Sequence, residues 1–279
     1  MTTIALMGAG GKMGQRLTRN LKDNPDYKTL YVEISQEGIA RLTEQGLAVT
    51  PQDEAVAQAD VVLLALPDVL IGKICHQLVP KLRSGTMVIS LDPAAGFAGM
   101  LPERDDITYF ITHPCHPPLF GDETDPEALH DWFGAYKAKQ SIVCALHRGP
   151  EEDYAKGEAI AKVIYAPVTR AHRVTTEQMV ILEPALVETL TTTCATILRE
   201  GMEEAIHMGV PEEAVRDFFW GHLRTCIAIV FDVAGFPMSD GAKLAVEKAK
   251  PQVFQPDWKK VMSMESIKQS VSDITHATQ

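Results

Sequence analysis

Apolar residues in the first half of the chain come in short unbroken runs. They are IALM at 4–7, TLYVE at 29–33, DVVLLAL at 60–66, TMVISL at 86–91, ITYFIT at 107–112 and SIVCAL at 141–146. Continuous rather than alternating runs suit strands covered on both faces, so these segments predict a mostly parallel, doubly wound sheet with the helix-like stretches between them lying on either side. Past Pro150 only helical spacing remains. PEEDYAKGEAIAKVIYA, residues 150–166, opens with proline and three acids and is closed by Pro167. A long helix from about Thr176 to Met208 is closed by Gly209, and Pro211-Glu212-Glu213 opens another that reaches about Gly235. The pattern predicts an α/β domain over 1–148 and an all-α domain over 149–279.

The first run leads directly into GAGGKMG, Gly8 to Gly14, and then into the helix-like QRLTRNL. Strand, glycines and helix in that order aim backbone N–H groups and a helix N-terminus at a pyrophosphate, the arrangement of a Rossmann dinucleotide turn. Gly8 allows the tight turn, Gly10 or Gly11 the approach of the phosphates, and Gly14 the packing of helix on strand. The spacing departs from G-x-G-x-x-G, because Met13 stands where the third glycine would fall. Glu33 closes the second run, where a carboxylate accepts from the ribose hydroxyls and repels a 2′-phosphate. NAD is therefore expected rather than NADP. Pro67, Asp92-Pro93 and His113-Pro114 follow three further strand ends, and ligands of open α/β sheets gather off those ends.

Polar residues out of place supply the candidate chemistry. On the first long helix Met179, Leu186, Leu190, Thr193 and Ile197 follow helical spacing, and Glu183 falls on that stripe. Pro184 after it removes a backbone hydrogen bond. Glu188, five residues on, would lie about 140° around an α-helix and so is not expected to share the site. On the next helix Ala214, Phe218, Thr225 and Ile229 form a stripe containing His222. The plainer alternatives are a buried ion pair for Glu183 and a carbonyl-bonded core histidine for His222. In HPCHPP, residues 113–118, His113 and His116 can grip one ion only if the loop turns, because polyproline chain advances about 9 Å over three residues. One histidine is expected at the site with the other supporting it, His113 leading from the strand end.

Composition narrows the partners. A net charge of −11, from 26 basic and 37 acidic residues with no basic cluster, disfavours nucleic acid and anionic membrane. Five scattered cysteines without C-x-x-C suit a reducing cytoplasm. No charged-then-apolar leader is visible, and the longest apolar stretch, CIAIVF at 226–231, is too short to cross a bilayer. The long helices suggest a homodimer.

A Rossmann half before a helical half resembles the 6-phosphogluconate and 3-hydroxyisobutyrate dehydrogenase superfamily. The K-x-x-x-N motif of its sugar-acid dehydrogenases is missing, since Asn20 and Asn24 are the only asparagines. Over the whole length the chain is more similar to the D-apionate oxidoisomerase family, through GAGGKMG, the LPD turn at 66–68, HPCHPP and LEPALVETL at 182–190. The resemblance implies oxidation of the C2 hydroxyl of a branched sugar acid by NAD, then a ketol rearrangement to 3-oxo-isoapionate. It implies cofactor contacts at Gly8, Gly10, Gly11, Lys12, Met13, Glu33, Leu66 and Pro67. One divalent metal ion on His113 and Glu183 would suit a ketol shift, with Glu183, His116 and His222 as further catalytic candidates. A simple NAD-dependent 2-hydroxy-acid or prephenate-like dehydrogenase and a non-enzymatic NAD sensor remain open alternatives.

Overall fold

A computed structural model describes residues 1–276. The elements run β1 (Thr2–Met7), α1 (Lys12–Leu21), β2 (Tyr27–Val32), α2 (Gln36–Glu44), α3 (Gln52–Gln58), β3 (Val61–Leu64), α4 (Asp68–Leu78), β4 (Met87–Ser90), α5 (Ala94–Phe97), β5 (Thr108–Pro114), α6 (Pro126–Leu129), β6 (Gln140–Arg148), α7 (Asp153–Ile164) and β7 (Val168–Arg173). After them come α8 (Thr176–Val180), a π-helical segment (Ile181–Thr192), α9 (Thr193–His207), α10 (Glu212–Val230), α11 (Asp240–Val253) and α12 (Met264–His276).

The strands form one sheet in the order β2-β1-β3-β4-β5-β6-β7. All neighbours are parallel except β5 and β6. The chain leaves β1 for β2 on one side and for β3 on the other, so a crevice opens at the carboxyl end of β1, where the glycines lie. Each of the six apolar runs forms a strand, and β3 and β4 are buried throughout, as unbroken apolar runs require. Helices close both faces. Ile4, Leu6, Leu63 and Ile89 join α1 and α7 on one side, while Ala5, Val62, Leu64 and Val88 meet α3 and α4 on the other.

The expectation of helices alone past Pro150 needs correction. VTRAHR forms β7 at the sheet edge, and its mostly exposed residues, with only Val168 and Ala171 half-buried, include no apolar run to betray it. Charged side chains on an edge strand also discourage further pairing. By their internal contacts residues 1–182 and the segment from Lys268 form one unit, and Glu183–Ile267 forms a second.

In the second unit α9 and α10 pair, and Gly209, at φ +97, ends the first of them. The expected buried stripes do not materialise within one chain. Met179, before the π-helical segment, is fully buried, but Leu186 and Ile197 are exposed, as are Phe218 and His222. On the first helix a stripe with a 3.6-residue period cannot stay aligned through a segment of wider turn, whereas α10 is a regular α-helix whose apolar face is exposed in the chain alone. The continuous helix Thr176–His207 is, by length and composition, long and apolar enough to cross a membrane, although no single run in it suggests so. The five cysteines are free.

Candidate functional site

The nucleotide turn is built by close backbone contact. Gly8 adopts φ +74, and the Gly11 N–H closes the turn on the Gly8 carbonyl at 3.0 Å. A Cβ on Gly14 would stand 2.1 Å from that same carbonyl oxygen. A Cβ on Gly10 would stand 2.4 Å from the Cα of Gly38 in α2, so Gly10 lets a second helix reach the turn. Lys12 opens α1, Met13 follows it, and Leu66 and Pro67 stand across the crevice between β3 and α4. A Cβ on Gly8 would lie 3.0 Å from Leu66 Cδ2.

Glu33 binds this turn together. Its Oε2 accepts from the Gly10 N–H at 2.9 Å, and its Oε1 accepts from the N–H groups of Ile34 and Ser35 and from the Ser35 hydroxyl. Partial burial pushes the carboxyl upward, but the bonds from Ser35, Ile34 and Gly10 outweigh that and hold it below the ordinary glutamate range. It stays ionised where the adenosine ribose of a dinucleotide would arrive.

Beyond the carboxyl ends of β4 and β5, Asp92, His113 and Glu183 bring one donor atom each within 4.8 Å of one another. Asp92 is aimed by the first turn of α5, whose Ala94 N–H donates to Oδ1 at 2.7 Å. His113 leaves the end of β5, and its Nδ1 lies 2.9 Å from the Pro114 carbonyl oxygen. A carbonyl only accepts, so Nδ1 carries the proton and Nε2 presents its lone pair. Burial holds the imidazole neutral, pushing it down to about 4. Glu183 rides on the helix that begins at Thr176, two turns from its root. That root is anchored by Met179 among Ile111, Val143 and Ala145 and by the bond between His147 Nδ1 and the Thr176 hydroxyl.

An imidazole nitrogen that must accept and two carboxylates suit a hard or borderline divalent cation. Next to this group Asp68, at the start of α4, is pushed up to about 6, first by burial and then by the charge of Asp92. Two nearby carboxylates that resist joint ionisation are what a cation would relieve.

His116 lies beside the cluster. A left-handed backbone at this residue, φ +60, turns the loop and sets its ring edge-on to His113 at 6.0 Å. Its Nδ1 faces the Phe133 carbonyl at 2.9 Å. His222 is elsewhere in kind: on α10 it stacks on Phe218 at 3.9 Å, with Nδ1 2.8 Å from the Phe218 carbonyl, and it is not among the grouped ligands. Sequence reasoning did not single out Asp92 as a ligand, although its place directly after a strand run was the available signal. Gly38 had no such signal, since its role is set by a contact between α2 and the glycine turn.

Residues 1–114 match the family described as acetohydroxy acid isomeroreductase, NADPH-binding domain, and residues 121–275 match phosphogluconate dehydrogenase (decarboxylating) C-term. The chain is 50% identical to a D-apionate oxidoisomerase of Cupriavidus necator, over 98% of this chain and 99% of that one. It is 51% identical to a D-apionate oxidoisomerase of Rhizobium rhizogenes, over 99% and 100%. A crystal structure of a semialdehyde dehydrogenase NAD-binding protein from Cupriavidus necator in complex with calcium and NAD superposes with a TM-score of 0.96 at 50% identity, covering 99% of this chain and all of that one.

Proposed function

The chain belongs to the D-apionate oxidoisomerase family, and from that footing we propose that it oxidises the C2 hydroxyl of D-apionate with NAD and rearranges the product to 3-oxo-isoapionate. The observation that carries the reading is the convergence of Asp92, His113 and Glu183 at the carboxyl end of the parallel strands, the end at which the nucleotide turn also lies. NAD supplies the hydride acceptor, and a divalent cation supplies the polarisation of neighbouring oxygens that a ketol shift requires.

The chain's own groups do the rest. The turn from Gly8 to Gly11 and the first N–H groups of α1, at Lys12 and Met13, receive the pyrophosphate, with Leu66 and Pro67 on the facing wall. Glu33 accepts from the ribose hydroxyls. Asp92, His113 and Glu183 would hold the cation, His113 through Nε2. His116, with Nδ1 committed to the Phe133 carbonyl, offers Nε2 to take the C2 hydroxyl proton. His222 belongs to an exposed apolar face that we assign to a second copy of the chain. A groove of about 710 Å³ there is lined by Ile197, Leu198 and Met202 of α9 and by Phe218, Leu223 and Cys226 of α10. Helix Thr176–His207 would meet that copy rather than a bilayer, which accords with the charges of Glu183 and Glu188 on it. Free cysteines agree with a cytoplasmic location.

The test is product identity. D-Apionate incubated with the protein, NAD and a divalent metal should yield NADH and a product whose carbon NMR places the ketone at C3. NADH with the ketone still at C2 means a simple dehydrogenase, and no NADH removes this substrate. Exhaustive chelation should abolish turnover while leaving NAD binding intact.

A further inference from the structure

Glu188 stands five residues after Glu183. On an α-helix that spacing separates two side chains by about 140°, but from Ile181 to Thr192 the helix is π-helical. Its hydrogen bonds run from i to i+5 and a turn takes roughly 4.4 residues, so five residues return to within about 50° of the starting direction. Three hydroxyls record the wider turn independently. Thr189, Thr191 and Thr192 donate to the carbonyls of Pro184, Leu186 and Val187 at 2.7, 2.8 and 3.1 Å, each reaching back five residues. In α9 and α10, Thr196 and Thr225 reach back only four, to Thr192 and Gly221. Pro184 gives a physical reason for the change, because it has no N–H and its ring clashes with the carbonyl four residues earlier.

We propose that Glu188 is a further binding residue of the cation site, brought onto the Glu183 face by the π-helical turn and holding the divalent ion directly or through one of its waters. The inference rests on the cation reading of Asp92, His113 and Glu183. Glu188 is not among the donors that already lie within 4.8 Å of one another, so it would complete the site when an ion is bound, and one imidazole with three carboxylates would favour a hard cation with oxygen donors, magnesium, manganese or calcium, over a thiophilic one. Glu188 is exposed, whereas Pro184 and Ala185 beside Glu183 are buried. The π-helical turn therefore sets a ligand beside buried neighbours and another at the solvent side on one helix face.

The protein saturated with NAD is titrated with Mn²⁺, and free Mn²⁺ is read by electron paramagnetic resonance. Glu188→Gln should lower Mn²⁺ affinity about tenfold to a hundredfold, and Glu183→Gln should lower it at least as much. Glu200→Gln, an exposed acid on α9, controls for net charge and should leave affinity within twofold. NAD affinity and melting temperature should stay unchanged in all three. If Glu188→Gln binds Mn²⁺ within twofold of wild type while Glu183→Gln does not, this inference is overturned and the three-residue site stands. If Glu183→Gln also binds as well as wild type, the cation reading itself falls and takes this inference with it.

Discussion

The sheet unit and the helical unit spend similar apolar composition in opposite ways. In the first, β3 and β4 are buried throughout, and Ile4, Leu6, Leu63 and Phe110 have no exposed surface. In the second, the buried residues among those described are Pro184, Ala185, Val215 and Ile267, while Phe218, Trp220, Phe231 and Phe236 are each more than half exposed. A sheet flanked by its own helices closes its core within the chain. Helices that pair only in part leave large apolar side chains exposed, the kind of face that marks an interaction surface, and this is the face we propose a second copy covers. The candidate chemistry follows the same division. Asp92 and His113 belong to the first unit, and Glu183, two turns into the helix that begins at Thr176, belongs to the second.

The largest effect should come from removing a side chain of the Asp92, His113 and Glu183 group. His113→Ala or Glu183→Ala should lower turnover by three orders of magnitude or more, at least about 4 kcal/mol of transition-state stabilisation. NAD affinity should remain within about threefold, because the nucleotide turn belongs to the self-contained unit. Steady-state kinetics and NAD titration measure the two separately. A parallel loss of NAD binding would show that the regions are not independent in this way.

Two phenylalanines sharpen the contrast next. Phe110 lies in the closed core, where a Cβ on Gly157 would come within 2.4 Å of its ring, and truncation to Ala should cost about 3–5 kcal/mol of unfolding free energy. Phe218 is 69% exposed. Phe218→Glu should leave the sheet unit folded and NAD bound, yet shift the protein from dimer to monomer by light scattering. A dimer that survives the charge would place the interface on another surface.

The legible part of the chain was the part whose burial is local to it. Continuous apolar runs marked six of seven strands, and the glycines and Glu33 marked the nucleotide turn, because each depends on nearest neighbours along a strand or turn. β7 escaped because an edge strand with Thr, Arg and His needs no apolar run. The angle between Glu183 and Glu188 escaped for a different reason. Side-chain direction was read with an α-helical period, and the segment around Pro184 turns more widely. The stripe that would bury His222 misled because helical spacing reports an apolar face without saying whether the same chain covers it.

The smallest effect tests the nucleotide turn alone. Glu33 holds the Gly10 N–H with one carboxylate oxygen and the Ile34 and Ser35 groups with the other, and those bonds keep it ionised. A 2′-phosphate placed beside that carboxylate meets like charge worth about 4 kcal/mol at 4 Å and an effective dielectric near 20. Solvent screens most of this at the half-exposed rim, leaving a discrimination on the order of 1–2 kcal/mol. Glu33→Gln keeps the shape and removes the charge, so NADP affinity should rise roughly tenfold. NAD affinity should fall modestly, because an amide is a weaker acceptor for the ribose hydroxyls and for Gly10. Mn²⁺ affinity and the oligomeric state should not move, since neither the grouped donors nor the helical face includes Glu33. Binding titrations of both nucleotides decide it. A wild-type protein that takes NADP as tightly as NAD would show that Glu33 only braces the glycine turn and does not select the cofactor.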